Sequence, residues 1–184
     1  MHYHQVPGMS WAEVDACARD VLQRVAPHCL LSTTPVPVLD IFERGLDLFD
    51  VGYGVEELPF GVEAQFDPRT SEIILAESVY LDLHRGHCRA RFTVAHEIGH
   101  AVMHGAYYKE IITGNRKTKP LARGQIPAYS DPEKQANRFA AEFLMPTPLV
   151  AQLVQNGYGP HMISEAFAVS LSAAEIKIRS LIKI

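Results

Sequence analysis

Long apolar runs are missing from this 184-residue chain. None approaches the roughly 20 residues needed to cross a bilayer, so no membrane-spanning helix is expected. Cysteine is scarce: Cys17, Cys29 and Cys88 are an odd number without metal-type spacing, which excludes a disulfide scaffold or a zinc ribbon and reads as reduced thiols. Charge of one sign is also lacking. The net charge is −4, so a dominant electrostatic grip on nucleic acid or an anionic membrane is not expected, although a local basic patch stays open. No internal repeat or low-complexity tract is visible, which excludes solenoids, collagen and coiled coils. The opening MHYHQVPGMSW has neither the basic flank nor the apolar stretch of a secretory signal, and with the reduced thiols it points to a cytoplasmic location. What remains is an ordinary globular composition, 47% hydrophobic and 21% charged, with one oddity: nine histidines. Three of these, His96, His100 and His104, fall within one short stretch.

Residues 1–9 read as loosely held. Ser10 and Glu13 have capping-box spacing and open a helix expected to reach Val25. After a Pro-rich break, a short helix is expected from Val38 to Arg44, with Gly45 just past its end. Leu46–Val51 reads as extended. Gly61–Phe66 and Glu72–Ala76 flank the turn Asp67-Pro68-Arg69-Thr70, predicting an antiparallel hairpin in a small sheet. A helix is expected from Leu83 to His104, then a long, mostly basic connection over 105–130, read either as a solvated loop or as a substrate-facing flap. A second strong helix runs from Asp131 to Met145 and is closed by Pro146, and residues 147–184 form two or three short helices. The fold class is α+β: a small antiparallel sheet beside two long helices, with 1–146 as the main domain and 147–184 as a helical tail.

Chemistry enters with Arg91-Phe92-Thr93-Val94-Ala95-His96-Glu97-Ile98-Gly99-His100, which contains His-Glu-x-x-His. In a chain this rich in histidine, a chance match has a probability of about 3%, so helix geometry carries the weight. At about 100° per residue, His96 and His100 stand roughly 40° apart and one turn apart, and two imidazoles so placed can share one tetrahedral ion. Glu97 flanks them within reach of a water on that ion. Val94, Ala95, Ile98, Ala101 and Val102 fall on the opposite, apolar side. A third ligand is needed. Three histidines at successive i+4 positions diverge round a helix, so His104 fits a supporting or capping role better than ligation. A histidine at position 106 would signal the metzincin spacing, but Ala106 stands there. On the second helix Glu133 and Glu142 lie nine residues apart, about 180° round, and cannot both face one ion. Glu133 is favoured because Asn137 follows it by one turn and can orient a ligand, although Ser130–Glu133 is also a capping box.

The string from Arg91 to His100, followed by Glu133-Lys134-Gln135-Ala136-Asn137-Arg138-Phe139-Ala140-Ala141-Glu142-Phe143-Leu144-Met145-Pro146, resembles the ImmA/IrrE family of metallo-endopeptidases. The likeness extends over about residues 35–146 and loosely over the tail; Ile98 stands where the family often has Leu. The resemblance implies a zincin-like core with His96, His100 and Glu133 as metal ligands, Glu97 as catalytic base, and Zn²⁺ or another divalent ion such as Mn²⁺ as cofactor. It also implies a protein substrate, a helix-turn-helix repressor whose cleavage releases a stress-response or mobile-element regulon. An oxyanion donor is expected among Tyr107, Tyr108, Tyr129 and His104. Residues 162–182 have a helix-turn-helix look that a plain helical hairpin also explains. Two other functions stay open: a regulator binding DNA through this tail around a structural metal, and a non-proteolytic toxin–antitoxin partner.

Overall fold

The computed structural model describes residues 5–116 and 126–182. Helix α1 (Trp11–Val25) opens as expected: Ser10 Oγ accepts the Glu13 amide, and the Glu13 carboxylate accepts the Ser10 amide at 2.7 Å. The short α2 (Val38–Asp40) runs on into a wider turn, Ile41–Gly45. The segment after Gly45 is not extended. Leu46–Phe49 is a 3₁₀ turn, and the strand starts later, as β1 (Gly52–Glu56). A strand would put Leu46 and Leu48 on one face; instead Leu46 is buried, while Leu48 is exposed and its carbonyl accepts Arg24.

The expected hairpin forms from β2 (Ala64–Asp67) and β3 (Glu72–Ala76), paired antiparallel from Ala64↔Leu75 to Asp67↔Glu72. The sheet as a whole is mixed, because β1 joins β3 in parallel register, Gly52↔Glu72 to Glu56↔Ala76. The order is β1-β3-β2, which leaves β2 as an edge beside the helices. Central β3 is buried on both faces through Ile73, Ile74 and Leu75.

The helix expected from Leu83 to His104 is two helices, α3 (Glu77–His84) and α4 (Cys88–Ile112). Gly86 breaks them at φ 74, a left-handed conformation that glycine adopts at little cost. α4 runs two turns past His104, so the connection to α5 (Pro132–Leu144) is shorter than expected. Of the proposed flap, 105–130, residues 117–125 lie outside the described residues. α5 is capped by Asp131, whose carboxylate accepts the amides of Glu133 and Lys134.

α4 and α5 pack closely. A Cβ on Gly99 would stand 3.0–3.2 Å from three atoms of Phe139, so any larger residue at this crossing would have to push that ring back by a few tenths of an ångström. Val94, Ala95, Ile98, Phe139, Phe143 and Leu144 fill the space between them and the sheet. The tail forms α6 (Thr147–Gln155), α7 (Pro160–Phe167) and α8 (Leu171–Ile182). One hydrophobic core runs from Val14 to Ala174, taking in main-domain and tail residues alike. Two polar ties reinforce it. Arg91 of α4 donates to the carbonyls of Phe167 and Ala168, and Lys177 of α8 donates to Glu142 of α5 at 2.5 Å.

Candidate metal centre

The α4–α5 crossing brings the three sequence-selected donors together. His96 and His100 lie one turn apart on α4, with their Nε2 atoms 3.0 Å apart. Glu133, in the first turn of α5, places Oε2 3.4 Å from His96 Nε2 and Oε1 3.4 Å from His100 Nε2. Ligands at about 2.0–2.1 Å round a tetrahedral zinc stand about 3.3 Å from one another, so the spacing fits such an ion. The donor set fits as well, being two borderline nitrogens and one hard oxygen. Among the described residues, this trio is the one group of His, Cys, Asp or Glu side chains close enough to hold a metal.

The electrostatics agree with the geometry. Hydrogen bonds to His100 and then His96 hold the Glu133 carboxyl far below the usual carboxylate range. Burial pulls His96 down, but the hydrogen bond and charge of Glu133 and the charge of Glu97 outweigh it and leave the imidazole above its ordinary value. Glu97 moves the other way. Burial raises its carboxyl, against the opposing pull of His100, His96 and the backbone amide of Phe66 on β2. A carboxyl pushed upward beside a ligand pair is poised to take and return a proton.

Asn137 lies where a ligand-orienting residue should: its Oδ1 is 3.2 Å from His96 Nδ1. His104 is buried behind His100, Nδ1 to Nδ1 at 3.2 Å, and its Nε2 is 2.7 Å from Gln135 Oε1. Burial pushes its imidazole down to about 4. Glu142 is far from this group and takes Lys177, Arg19 and Thr147 as partners.

Of the four oxyanion candidates, two are already engaged. Tyr107 donates to the Gln5 carbonyl at 3.0 Å, and His104 is bonded to Gln135. Tyr108 and Tyr129 remain. Two contributors escape a reading of the sequence. Gln135 carries no signal of its own along the chain. Residues 5–9, expected to be loose, are pinned: Val6 and Met9 donate backbone amides to Ser130 and Tyr129, and Val6 is buried. Their pairing partners lie about 120 residues away, beyond any local pattern.

The class of protein follows from this site and fold. A family model described as the IrrE N-terminal-like domain, peptidase M78, matches residues 51–179. The chain belongs to this metallopeptidase family, for which a divalent metal is implied and for which the His96–His100–Glu133 trio supplies a fitting cradle. No curated protein matches the chain. Among solved structures, a Mycobacterium tuberculosis transcriptional regulator is similar at 17% identity with a TM-score of 0.57, over 89% of this chain and 45% of that one. The chain thus spans less than half the length of that structure, and the likeness is one of fold.

Proposed function

We propose that this chain is a zinc-dependent endopeptidase, with His96, His100 and Glu133 holding the metal and Glu97 acting as general base and acid. The observation that carries this reading is the convergence of two Nε2 atoms and one carboxylate at 3.0–3.4 Å, with a second carboxylate, that of Glu97, beside His96 on the same helix. When bound, the metal polarises the scissile carbonyl and acidifies a water toward neutral pH. Glu97 takes the proton of the attacking water and delivers it to the leaving amine. Asn137 fixes the ring of His96. Tyr108 or Tyr129 supplies the further donor to the oxyanion. Residues 1–146 carry this chemistry; the tail, 147–184, supports it through Arg91 and Glu142.

The substrate is a protein, and the family resemblance favours a helix-turn-helix repressor in the cytoplasm. Direct DNA binding through the tail has little to support it. Lys177 is turned inward onto Glu142, and Arg179 pairs with Glu175 on its own helix. The test is incubation of the zinc-loaded protein with the repressor encoded beside its gene, with and without chelator, followed by mass spectrometry. Discrete fragments that chelator abolishes support the reading. A repressor left intact overturns that substrate; salt-dependent DNA binding without cleavage overturns the enzyme.

A further inference from the structure

We infer that His104 is a positioning residue that fixes the protonation pattern of His100, and that its own pattern is set by Gln135 and, through Gln135, by backbone carbonyls of Pro7 and Tyr129. The inference rests on the metal-binding reading of His96, His100 and Glu133.

The chain of donors can be followed from its far end. Gln135 is fully buried. Its Nε2 lies 2.7 Å from the Tyr129 carbonyl and 3.1 Å from the Pro7 carbonyl. Carbonyl oxygens only accept, so the amide NH₂ must face them. The reversed amide would set Oε1 against two other oxygens in a buried site, a costly arrangement. Oε1 is therefore turned to His104, and its 2.7 Å partner, Nε2, must donate. His104 is 1% exposed, and a neutral ring, the form that such burial favours, carries a single N–H. Its Nδ1 is thus a bare lone pair. That lone pair meets His100 Nδ1 at 3.2 Å, so His100 must donate from Nδ1. With a proton held there, His100 gives up only its Nε2 proton when a metal binds, and the lone pair so bared faces His96 and Glu133, as a metal ligand requires. Asn137 Oδ1, 3.2 Å from His96 Nδ1, is placed to accept a proton there in the same way.

Each assignment sets the next. A single amide at Gln135 decides which nitrogen of His104 carries the proton and so which nitrogen of His100 is free. The relay also explains why the N-terminal segment is drawn in: Pro7 supplies one of the two acceptors that orient Gln135.

The experiment uses the full chain and zinc alone. Long-range ¹H–¹⁵N correlation of histidine-labelled, zinc-loaded protein should show His104 protonated on Nε2 with Nδ1 bare, and His100 protonated on Nδ1. In parallel, zinc affinity is measured by competition with a chromophoric chelator. His104→Phe fills the space but offers no acceptor and should bind zinc about 10–100-fold more weakly. His104→Gln offers both an acceptor and a donor and should recover most of that loss. The inference is overturned by a proton on Nδ1 of His104, or by wild-type zinc affinity in His104→Phe. Wild-type protein that takes up no zinc overturns the metal reading instead, so the two failures are distinct. The wild-type spectrum decides the matter even where a variant does not fold.

Discussion

Helix α5 carries two glutamates with opposite fates. Glu142, near its C-terminal end, has no exposed side-chain surface and is met by Lys177 at 2.5 Å, Arg19 at 2.6 Å and Thr147. Glu133, at its N-terminal end, is 46% exposed, and its ion-pair partners among the described residues are the two imidazoles of His96 and His100. Glu142 is balanced by cations that the chain itself supplies, and it ties α1, α5 and α8 together. Glu133 is balanced only by rings whose second nitrogens are engaged by Asn137 and His104, so that the free ones turn toward a common centre. The same side chain, nine residues apart on one helix, serves architecture in one place and, in the proposed function, ligation in the other. What separates the roles is the chemistry of the neighbours rather than burial or charge alone.

The sharpest way to break the comparison is through the residue beside the ligands. Glu97→Gln should lower peptide cleavage by about 10²–10⁴-fold while keeping one metal per chain, read by activity assay and metal analysis side by side. Cleavage at the wild-type rate would remove Glu97 from its role. Next come the two glutamates themselves. Glu133→Ala should lose the metal, whereas Glu142→Gln should keep it, and equal metal content in the two variants would erase the distinction. Stability should reverse the ranking. Lys177→Met strands a buried carboxylate and should cost about 3 kcal/mol in urea unfolding, because Arg19 and Thr147 still hold Glu142. An unchanged midpoint would mean that the tail is not anchored there.

A pH series sharpens the same point. Burial alone would raise the Glu142 carboxyl, but Lys177 and Thr147 outweigh it and leave it below its ordinary value of 4.5. A carboxylate depressed in the folded state contributes stability that is present above the ordinary value and lost as pH falls below it. Unfolding free energy should therefore drop between about pH 5 and pH 3, and the drop should be shallower in Glu142→Gln. The smallest effect is at Asn137. Asn137→Ala should weaken zinc binding about tenfold without changing the fold, checked by chelator competition and circular dichroism.

Much of the site is legible in the amino-acid sequence. The i,i+4 spacing of His96 and His100 fixes a shared face because helix geometry is local, and a 180° separation on α5 rules out Glu133 and Glu142 acting together for the same reason. Asn137, one turn from Glu133, follows by that logic and stands against His96. Elements set by short-range signals are equally plain: the capping box at Ser10, the hairpin round Asp67–Thr70 and the breaks in the tail. Features decided at long range are not. β1 carries two glycines and gains its place only by parallel pairing with β3, 20 residues on. The break at Gly86 depends on a backbone angle rather than on periodicity. Gln135 and residues 5–9 matter through contacts about 120 residues apart, which no window along the chain can show.

X-ray absorption at the zinc edge tests the central claim most directly. For the purified, zinc-loaded chain, a first shell at about 2.0–2.1 Å containing two imidazole nitrogens and carboxylate oxygen is expected, with that shell lost together with the zinc in His96→Ala. A shell containing sulfur from the cysteines, or one unchanged by that substitution, would show that the ion sits elsewhere and that the convergence on α4 and α5 is not a metal centre.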